Sequence, residues 1–477
     1  MATEFIVTGS ASPTRPNVIL CICDQLRAFE VGCYGNEVVR TPHLDRLSAE
    51  GVRFETAVSN NPVCMPARSC LLSGQYSRTC MGALGNFAER REDGSSTMPE
   101  YPAVGRPHLP APTLPEMFKT LGYDTALIGK WHIHSAPGPL GFDYSLYPRV
   151  HHRHSGQSYV ENDGEEFQVE GFSVRFESDQ VGGYLRDREH REHPFFLYYS
   201  ISPPHMPLMD APETYLDMYD PADIPLRPNV YRDGRLPCDE HWFKVYLWDF
   251  LFYEKDLPFT RNLPPGFDLR HLIALYYGMT TWVDDMVGRL MHFLKAYHLA
   301  ENTIVVFLSD HGDNLGSHHL FNKGRLIEES IRIPLVFHAS GRLKPRVDSA
   351  TTAQLIDVMP TLLSLCGGSV PAHVQGSDLA SVISGENGPM EDEGVFVETS
   401  LGQVGLRTPT HTYGIRIDPK SGKVLDDLEC FFDLRTDPYQ LSDLRDASRD
   451  TGLAAGLRDR VLAWHHATPW MHRGAPP

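Results

Sequence analysis

Residue types that can do chemistry stand directly after two short apolar segments of the sequence. Asp24 and Gln25 follow NVILCIC, and Asp310 and His311 follow TIVVFLS. Such segments are typical of buried strands, and in an open α/β sheet the functional residues gather where the carboxyl ends of parallel strands meet. Carboxylate, amide and imidazole groups from two strand ends therefore predict one shared divalent cation. Hard oxygen ligands favour Ca²⁺ or Mg²⁺, and the imidazole also admits Mn²⁺.

Cationic and imidazole side chains follow other strand-like segments. Lys130 and His132 come after YDTALIG, and His205 comes after FFLYYSIS. Arg68 lies in PVCMPARS and Lys323 lies in FNKGRL. The chain has a net charge of −18, so its long-range field does not attract an anion and local cations must hold one. These residues predict an anion site built on a metal.

Cys64, in PVCMPARS, fits neither of two familiar cysteine sites. A thiolate phosphatase needs a longer spacing than the three residues that separate Cys64 from Arg68. A zinc site needs a second cysteine or histidine at short spacing, and Cys70 and Cys80 do not supply the usual pattern. The motif opens a predicted helix, with Pro66 in its first turn. On this motif alone, a structural role for Cys64 stays open.

Composition excludes several classes of protein. With 477 residues, 41% hydrophobic and 22% charged, the chain is predicted to be globular, with one large domain and a smaller one. Its apolar segments are shorter than the roughly 20 residues of a membrane-spanning helix. The acidic balance offers no footprint for nucleic acid, and nine irregularly spaced cysteines argue against a disulfide framework. The first residues lack a secretory pattern, so we expect a cytoplasmic protein.

Strand-like and helix-like segments alternate along most of the chain. Short apolar strands separated by helices predict an α/β fold, in which helices sandwich a large, mostly parallel sheet. The segment 268–298 has helical apolar spacing and leads directly into TIVVFLS. After about residue 385 the pattern changes to short alternating strands and a final helix near 451–466. We therefore predict a catalytic domain over residues 1–385 and an α+β subdomain with an antiparallel sheet over residues 386–477.

Several short motifs occur in one order along the sequence. They are Asp24-Gln25, C-x-P-x-R from Cys64 to Arg68, GKWH, PPHMP, SDHGD and NKGRLIEESIRIP, accompanied by GCYGN, SCLLSGQY, LIDVMPTLLSLCG and FFDLRTDPYQLSDL. The ordered set resembles the type I sulfatases of the alkaline phosphatase superfamily, close to the phosphonate monoester hydrolase branch. The resemblance covers most of the chain. It implies an alkaline phosphatase-like fold and the hydrolysis of a sulfate ester to an alcohol and inorganic sulfate.

The resemblance also implies a use for Cys64. In this family a separate maturation enzyme oxidises the cysteine of the C-x-P-x-R motif to formylglycine, an aldehyde that hydrates to a geminal diol. One diol oxygen attacks sulfur and displaces the alcohol, and deprotonation of the second hydroxyl then releases sulfate. Cys64 is thus expected to be a precursor, and the expected partners are a formylglycine-generating enzyme and a small-molecule sulfate ester.

The family's metal ligands match a set of residues here. Asp24, Asp310 and His311 match directly, and the formylglycine oxygen at position 64 completes the shell. Gln25 stands where many sulfatases have a second aspartate, and we expect it to bind through its amide oxygen. His311 stands where some members have asparagine, which leaves Ca²⁺ favoured and Mn²⁺ open. Because Asp-Gln also occurs in phosphonate monoester hydrolases, a phosphonate monoester or phosphodiester hydrolase is the alternative function.

The family's other catalytic residues also have counterparts in this sequence. Arg68 matches the arginine that holds the diol, and Lys130 and Lys323 match the lysines that bind the sulfate oxygens. His132 matches the group that helps regenerate the aldehyde. His205 matches the general acid that protonates the leaving oxygen.

Two further groups of polar residues lie close to these motifs in the sequence. Asp313, His318 and His319 follow Asp310 closely, and we expect them behind the metal ligands or on the surface, with substrate contact as the alternative. The segment HHRH at 151–154 is predicted to be a solvated loop, with substrate contact again as the alternative.

Two further features lie in the predicted helix 268–298 and in the insertion that precedes it. Asp284 and Asp285 lie within the segment 268–298, and we expect them on the helix surface or as a buried partner of another element. The aromatic-rich stretch 241–259 has more apolar residues than a solvated loop needs. It predicts a lid over the site or a contact between subunits of a homo-oligomer.

Overall fold

The computed structural model describes residues 15–82, 89–90, 96–97, 105–149, 152–248, 262–388, 394–445 and 451–471. The strands of these residues are β1 (Asn17–Asp24), β2 (Val52–Val58), β3 (Glu89–Arg90), β4 (Ser96–Thr97), β5 (Asp124–Gly129), β6 (Tyr144–Pro148), β7 (Ser158–Glu161), β8 (Phe167–Gln168), β9 (Phe195–Pro204), β10 (Thr303–Ser309), β11 (Arg332–Ile333), β12 (Leu335–His338), β13 (Arg346–Gln354), β14 (Val395–Glu398), β15 (Gln403–Arg407), β16 (His411–Ile417) and β17 (Val424–Asp433). Their α-helices are α1 (Pro42–Ala49), α2 (Cys64–Ser73), α3 (Ser77–Cys80), α4 (Leu114–Thr120), α5 (Ser173–Arg186), α6 (Glu213–Leu216), α7 (Glu240–Trp248), α8 (Leu269–Ala296), α9 (Glu328–Ile331), α10 (Val358–Leu365), α11 (Ala380–Ser384) and α12 (Gly452–Ala467).

In the described residues, one large sheet of eleven strands carries the fold. Its order is β11-β2-β12-β10-β1-β9-β5-β6-β7-β8, and β13 pairs with β2. The central strands β10, β1, β9, β5 and β6 run parallel to one another. Antiparallel pairs flank them, with β12 and β2 on one side and β7 and β8 on the other. The predicted α/β fold with a large, mostly parallel sheet is confirmed.

Strand β1 is buried on both faces, because its successive side chains enter two separate cores. Ile19, Cys21 and Cys23 belong to one core, to which α5 and α8 contribute. Val18 and Ile22 belong to the other core, to which α2, α4 and α10 contribute. A strand of a parallel sheet covered on both faces must be apolar throughout, which explains the sequence NVILCIC.

Helix α8 matches the predicted helix, and its two aspartates bind neighbouring elements. The Asp284 carboxylate accepts the backbone N–H groups of His43, at 3.1 Å, and Leu44, at 2.7 Å. It therefore satisfies donors at the start of α1 that have no partner within that helix. Asp285 accepts the hydroxyl of Tyr215 at 2.6 Å. The expectation of a buried structural partner is confirmed for Asp284.

The C-terminal part forms a separate antiparallel sheet of order β14-β15-β16-β17. Helix α12 packs on this sheet in a core of its own. A second cluster, which includes Val58, Ile331, Val397 and Phe432, joins the sheet to the large domain. The predicted small α+β unit with an antiparallel sheet is confirmed. The boundary predicted after residue 385 falls directly after α11 and stays a prediction.

A buried arginine links the segment after α2 to the C-terminal helix. Arg78 Nε lies 2.6 Å from Glu398 Oε2, and Arg78 Nη1 lies 3.0 Å from His465 Nδ1. Its guanidinium carbon lies 4.3 Å from the ring centroids of both Trp464 and Trp470. These contacts combine an ion pair with cation–π interactions in a buried setting. The C-terminal helix is thus part of the packing behind α2.

Two of the predicted segments lie only partly within the described residues. Part of the aromatic stretch 241–259 lies in α7, and its residues 249–259 lie outside the described residues. His151 of HHRH also lies outside them. Among the residues that the structure describes, none of the helices combines the length and apolarity needed to span a bilayer. The cytoplasmic location and the homo-oligomer stay predictions.

Candidate active site

Four neighbouring strands end at the same edge of the sheet and deliver the predicted residues there. Asp24 ends β1, while Asp310, Lys130 and His205 directly follow β10, β5 and β9. Because these strands are adjacent and parallel, their carboxyl ends meet. Gly129, the last residue of β5, lets this strand lie close to β9. A Cβ at this position would collide with the carbonyl oxygen of Ser200.

Four buried residues form a group that we call the carboxylate centre: Asp24, Cys64, Asp310 and His311. Each offers one ligand atom, and these atoms all lie within 4.8 Å of one another. Cys64 Sγ lies 3.2 Å from His311 Nε2 and 3.6 Å from Asp24 Oδ1. His311 Nδ1 donates to the Gly312 carbonyl at 2.8 Å, which leaves the Nε2 lone pair facing the group.

The two carboxylates of the centre have pKa values shifted in opposite directions. Burial and the Asp24 carboxylate raise the pKa of Asp310 to about 6. Burial alone would raise the pKa of Asp24 as well, but neighbouring cations, Lys130 above all, hold it well below its ordinary value. Burial lowers the pKa of His311, which favours the neutral imidazole. Two buried carboxylates with a neutral imidazole fit a hard divalent cation, which would relieve the repulsion between them.

Arg68, in the first turns of α2, fixes both carboxylates of the centre. Its Nε donates to Asp310 Oδ2 at 2.9 Å, and its Nη2 donates to Asp24 Oδ2 at 3.1 Å. Its Nη1 donates to the Ser200 hydroxyl at 2.8 Å. Arg68 is fully buried, so the guanidinium is held rigidly by these bonds. Helix α2 begins at Cys64, which places the positive end of the helix dipole at this centre.

Two lysines contact residues of the carboxylate centre. Lys130 Nζ lies 2.6 Å from Asp24 Oδ2. Lys323 Nζ donates to Gln25 Oε1 at 2.6 Å and to Cys64 Sγ at 3.1 Å. Burial alone would lower the pKa of Lys323, but the negative charges of Cys64 and Asp24 raise it. The Lys323 ammonium is therefore charged, and both side chains are positioned by other site residues before any anion binds.

The residues close to Asp310 in the sequence divide as expected. Asp313 is fully buried behind the centre and accepts Gln25 Nε2 at 2.6 Å. His318 and His319 are partly exposed. His318 contacts Asn229 at 3.2 Å, and His319 contacts the Arg235 carbonyl at 3.2 Å. The expected placement behind the ligands or near the surface is confirmed.

The prediction that HHRH forms a solvated loop is wrong for His152 and His154, while Arg153 is exposed as predicted. His152 and His154 are buried, because the chain between β6 and β7 folds inward against the end of β9. The His152 ring stacks on His205 with 4.2 Å between centroids, and their Nδ1 atoms lie 3.2 Å apart. The His132 ring lies edge-on to His152 at 5.4 Å. His154 Nε2 lies 2.9 Å from the His205 carbonyl oxygen.

We call these four residues, His132, His152, His154 and His205, the histidine pocket. Burial lowers the pKa of His152, His154 and His205, and nearby lysine charges lower those of His152 and His205 further. These three imidazoles are therefore neutral near pH 7. His205 Nδ1 donates to the Met206 carbonyl at 2.6 Å, so Nε2 is the ring atom left to exchange a proton with a ligand.

Sequence reasoning missed two residues that support the site. Ser200, within β9, accepts the bond from Arg68, and the Tyr246 hydroxyl of α7 donates to Asp313 Oδ1 at 2.5 Å. The only sequence feature that points to Ser200 is a hydroxyl within a largely apolar strand, and this feature is weak evidence for a role in the site. Nothing in the aromatic stretch distinguishes Tyr246 from the residues around it.

Comparison with known proteins agrees with this geometry. The Sulfatase family model matches residues 16–368, and the model for the C-terminal part of N-sulphoglucosamine sulphohydrolase matches residues 316–467. An ulvan-active sulfatase from Formosa agariphila is 31% identical over 456 residues, which cover 91% of this chain and 77% of that protein. An arylsulfatase from Clostridium perfringens is 29% identical over 470 residues, which cover 90% of each. The solved structure of yidJ from Bacteroides fragilis aligns with a TM-score of 0.77 and 27% identity, over 97% of this chain and 98% of that one.

The chain belongs to the sulfatase family of the alkaline phosphatase superfamily. It is a sulfuric ester hydrolase.

Proposed function

We propose that the protein hydrolyses its sulfate ester with a formylglycine made from Cys64 and with one divalent cation. The ligands proposed for the cation are Asp24, Gln25, Asp310 and His311, together with position 64. Ca²⁺ is the first choice because carboxylate and amide oxygens predominate among these ligands, and Mn²⁺ stays open because one ligand is an imidazole.

The observation that carries this proposal is the position of Cys64. Its sulfur is buried, lies 3.2 Å from His311 Nε2 and 3.6 Å from Asp24 Oδ1, and accepts the Lys323 ammonium at 3.1 Å. A thiol with a packing role lies among apolar groups, as Cys21 does in β1. Position 64 instead lies between a candidate metal site and a cation, which is the environment that an oxygen nucleophile needs.

A formylglycine hydrate at position 64 would supply the oxygen nucleophile, and the cation would lower its pKa and polarise the sulfate group. The folded protein buries position 64 completely. Oxidation of this residue therefore calls for a formylglycine-generating enzyme that acts on the chain before folding is complete.

The cations of the site have separate tasks. Arg68 holds the carboxylates of Asp24 and Asp310 at 3.1 and 2.9 Å, which keeps the ligand set in place. Lys130 and Lys323 bind the sulfate oxygens, where negative charge grows as the ester bond breaks. Their ammonium groups are already fixed by other site residues, so little reorganisation is needed during the reaction.

The histidine pocket handles the protons. Because the neutral ring of His205 carries its proton on Nδ1, Nε2 first takes up the proton that the attacking hydroxyl at position 64 loses, and then passes a proton to the leaving alcohol oxygen. The Nδ1–H remains bonded to the Met206 carbonyl throughout and keeps the ring oriented. His132 takes up the proton that must leave position 64 when sulfate is released. The stacked ring of His152 holds His205 from one side.

The test of this proposal is peptide mass spectrometry of protein produced together with a formylglycine-generating enzyme. Residue 64 should carry an aldehyde that reacts with hydrazides, and activity should rise in proportion to the modified fraction. Cys64→Ala should have no turnover. Cys70→Ala, at another buried position of the same helix, is the matched control and should remain active. Fully active protein with only unmodified cysteine at residue 64 would contradict the mechanism.

A phosphonate monoester or phosphodiester hydrolase is the alternative, and Gln25 beside Asp24 and His311 beside Asp310 are the features that permit it. It has less support, because the relatives named above are sulfatases. Values of kcat/KM measured in parallel on an aryl sulfate, a sugar sulfate, choline sulfate and a phosphonate monoester decide between the two functions. The same measurements identify the alcohol portion of the substrate.

A further inference from the structure

A closed ring of hydrogen bonds lies behind the candidate metal site. Lys323 Nζ donates to Gln25 Oε1 at 2.6 Å, and Gln25 Nε2 donates to Asp313 Oδ2 at 2.6 Å. On its other oxygen, Asp313 accepts the Tyr246 hydroxyl at 2.5 Å. The Tyr246 oxygen in turn accepts the backbone N–H of Asn322 at 2.6 Å. Asn322 directly precedes Lys323, so the chain itself closes the ring.

This ring fixes the orientation of the Gln25 amide. A glutamine side chain presents an acceptor at one end and a donor at the other. If the amide were turned over, its NH₂ group would meet the Lys323 ammonium and its oxygen would meet the Asp313 carboxylate. Both contacts would be repulsive. The amide oxygen is therefore directed to the side where Lys323 meets Cys64, and a second bond from Nε2 to Asn322 Oδ1, at 3.4 Å, favours the same orientation.

Asp313 and Tyr246 are themselves held in place. Asp313 is fully buried and Tyr246 is 1% exposed. Asp313 accepts three donors, since the backbone N–H of Leu315 also reaches its Oδ1 at 2.8 Å. These three bonds use both carboxylate oxygens of Asp313 as acceptors. A buried and fully bonded network of this kind is stiff.

We infer that Asp313 and Tyr246 are positioning residues for the active site. They orient the Gln25 amide oxygen towards the cation and hold the segment that carries the Lys323 ammonium. This role gives α7, the described part of the aromatic stretch, a function inside the molecule. The inference rests on the proposed function, because it takes Gln25 as a metal ligand and Lys323 as a sulfate-binding residue.

Two substitutions weaken the ring in different ways. Tyr246→Phe removes one donor to Asp313 and leaves the Asn322 N–H without its acceptor. Asp313→Asn replaces one acceptor by an NH₂ group, which must face either the Leu315 N–H or the Gln25 NH₂ group. If the new NH₂ group faces the Gln25 NH₂ group, the repulsion between them is relieved when the Gln25 amide turns over. This rotation takes the Gln25 oxygen away from the cation. Asp313→Asn should therefore have the larger effect.

The experiment measures Ca²⁺ binding to the full-length protein by isothermal titration calorimetry. Supporting residues behind metal ligands typically change metal affinity by about 10- to 100-fold. We expect about tenfold weaker binding for Tyr246→Phe and up to about 100-fold weaker binding for Asp313→Asn.

The matched control is Tyr34→Phe. Its hydroxyl also donates to a backbone carbonyl and accepts a backbone N–H, at 3.0 and 2.8 Å, away from the site. The control should lower the melting temperature as much as Tyr246→Phe and change Ca²⁺ affinity less than twofold.

Inhibition by inorganic sulfate is the second measurement, made at a Ca²⁺ concentration that saturates both the wild type and the variants, so that a remaining difference reports on Lys323. The inhibition constant should rise about tenfold in Tyr246→Phe and stay unchanged in Tyr34→Phe. Unchanged Ca²⁺ affinity and sulfate inhibition in Tyr246→Phe, or equal losses in both tyrosine variants, would overturn the positioning role. If the wild-type protein binds neither Ca²⁺ nor Mn²⁺, the proposed metal centre fails. In that case unchanged sulfate inhibition in Tyr246→Phe also removes the part of the inference that concerns Lys323.

Discussion

The carboxylate centre and the histidine pocket are neighbouring parts of one site, but their surroundings favour opposite states. Charged groups are stabilised in and around the centre, and neutral imidazoles are favoured in the pocket. In the centre, cations around Asp24 hold its pKa well below the ordinary value, and negative neighbours raise the pKa of Lys323. In the pocket, burial and nearby lysines lower the pKa of His152 and His205. The difference separates two tasks. Fixed charges bind an anion and stabilise its reaction, and neutral imidazoles can take up or release protons.

The two regions are also built differently. The carboxylates of the centre come from the ends of two adjacent parallel strands, β1 and β10. The pocket is assembled mainly from loops, because His132 lies beyond β5 and His152 and His154 lie between β6 and β7. Changes in the centre should therefore act on every substrate. Changes in the pocket should depend on how much a given substrate needs a proton.

The largest expected effect is the loss of a carboxylate from the centre. Asp24→Ala or Asp310→Ala removes one of the charged ligands proposed for the cation and an ion-pair partner of Arg68. We expect kcat/KM to fall on the order of 1000-fold or more on every ester, with a matching loss of bound metal, and chelation should have the same effect. Asp285→Ala, on α8, is the control and should keep both activity and metal. Full activity in metal-free protein would rule the metal centre out.

The next effect separates His205 from Lys323. A poor leaving group, such as a sugar or alkyl alcohol, needs protonation, whereas a nitrophenolate leaves without help. His205→Ala should lower kcat/KM on an alkyl sulfate by about 100-fold or more and on nitrophenyl sulfate by less than about tenfold. Lys323→Ala should affect both esters alike, because the sulfate contact proposed for Lys323 is common to them. Equal losses on the two esters in His205→Ala would argue against a role in leaving-group protonation.

His132→Ala should give a different kinetic pattern. Because His132 is proposed to act after the alcohol has left, one equivalent of alcohol should be released quickly, and the steady-state rate should then fall by about 100-fold. Rapid-quench kinetics measure this burst. Mass spectrometry should find an added sulfate on the peptide that contains residue 64, and His205→Ala should show no such adduct. Slow release of the first alcohol by His132→Ala would contradict this order of events.

The smallest expected effect concerns stability at acidic pH. His152 faces the positively charged or titratable groups of Lys130, His205, His132 and Lys323, and its pKa in the folded protein lies well below 6.5. Below about pH 6.5 the unfolded chain binds a proton that folded His152 does not, so the free energy of unfolding falls as pH falls. The contribution of one such group is at most about 1.4 kcal/mol per pH unit.

His152→Phe keeps an aromatic ring at this position and should flatten the acidic limb of the stability curve. Urea unfolding at pH 7.5 and pH 5 measures the difference. The control is His190→Phe, because the His190 side chain is 90% exposed. An acidic limb as steep in His152→Phe as in the wild type would show that His152 does not resist protonation.

The sequence predicted the two regions to different extents, and the reason is physical. Asp24, Asp310, Lys130 and His205 each follow an apolar strand, and the register of parallel strands brings such residues to one edge. The inward fold of HHRH could not be predicted in this way. A histidine-rich loop is polar in composition, and its burial depends on stacking with His205, which is distant in the sequence. The role of Tyr246 depends in the same way on one hydroxyl among many aromatic residues.

The fold, too, could be predicted from the sequence only in part. The mostly parallel sheet follows from short apolar strands that alternate with amphipathic helices, and α8 and α12 lie close to their predicted positions. The antiparallel strands β12 and β2 beside the parallel core have no distinct pattern in the sequence. Pairing direction at a sheet edge depends on how connecting segments cross the sheet, and local propensity does not record it.

Arg78 connects the segment after α2 to His465, 387 residues later in the chain. A ribosome must make all of these intervening residues before the guanidinium acquires its partner in α12. Cys70 of α2 also packs in a cluster against which Trp464 lies. At about 5 to 20 residues per second, synthesis of those 387 residues takes roughly 20 to 80 s. For the maturation proposed above, this order of synthesis means that α12 is the last element to pack behind α2, the helix that begins at Cys64.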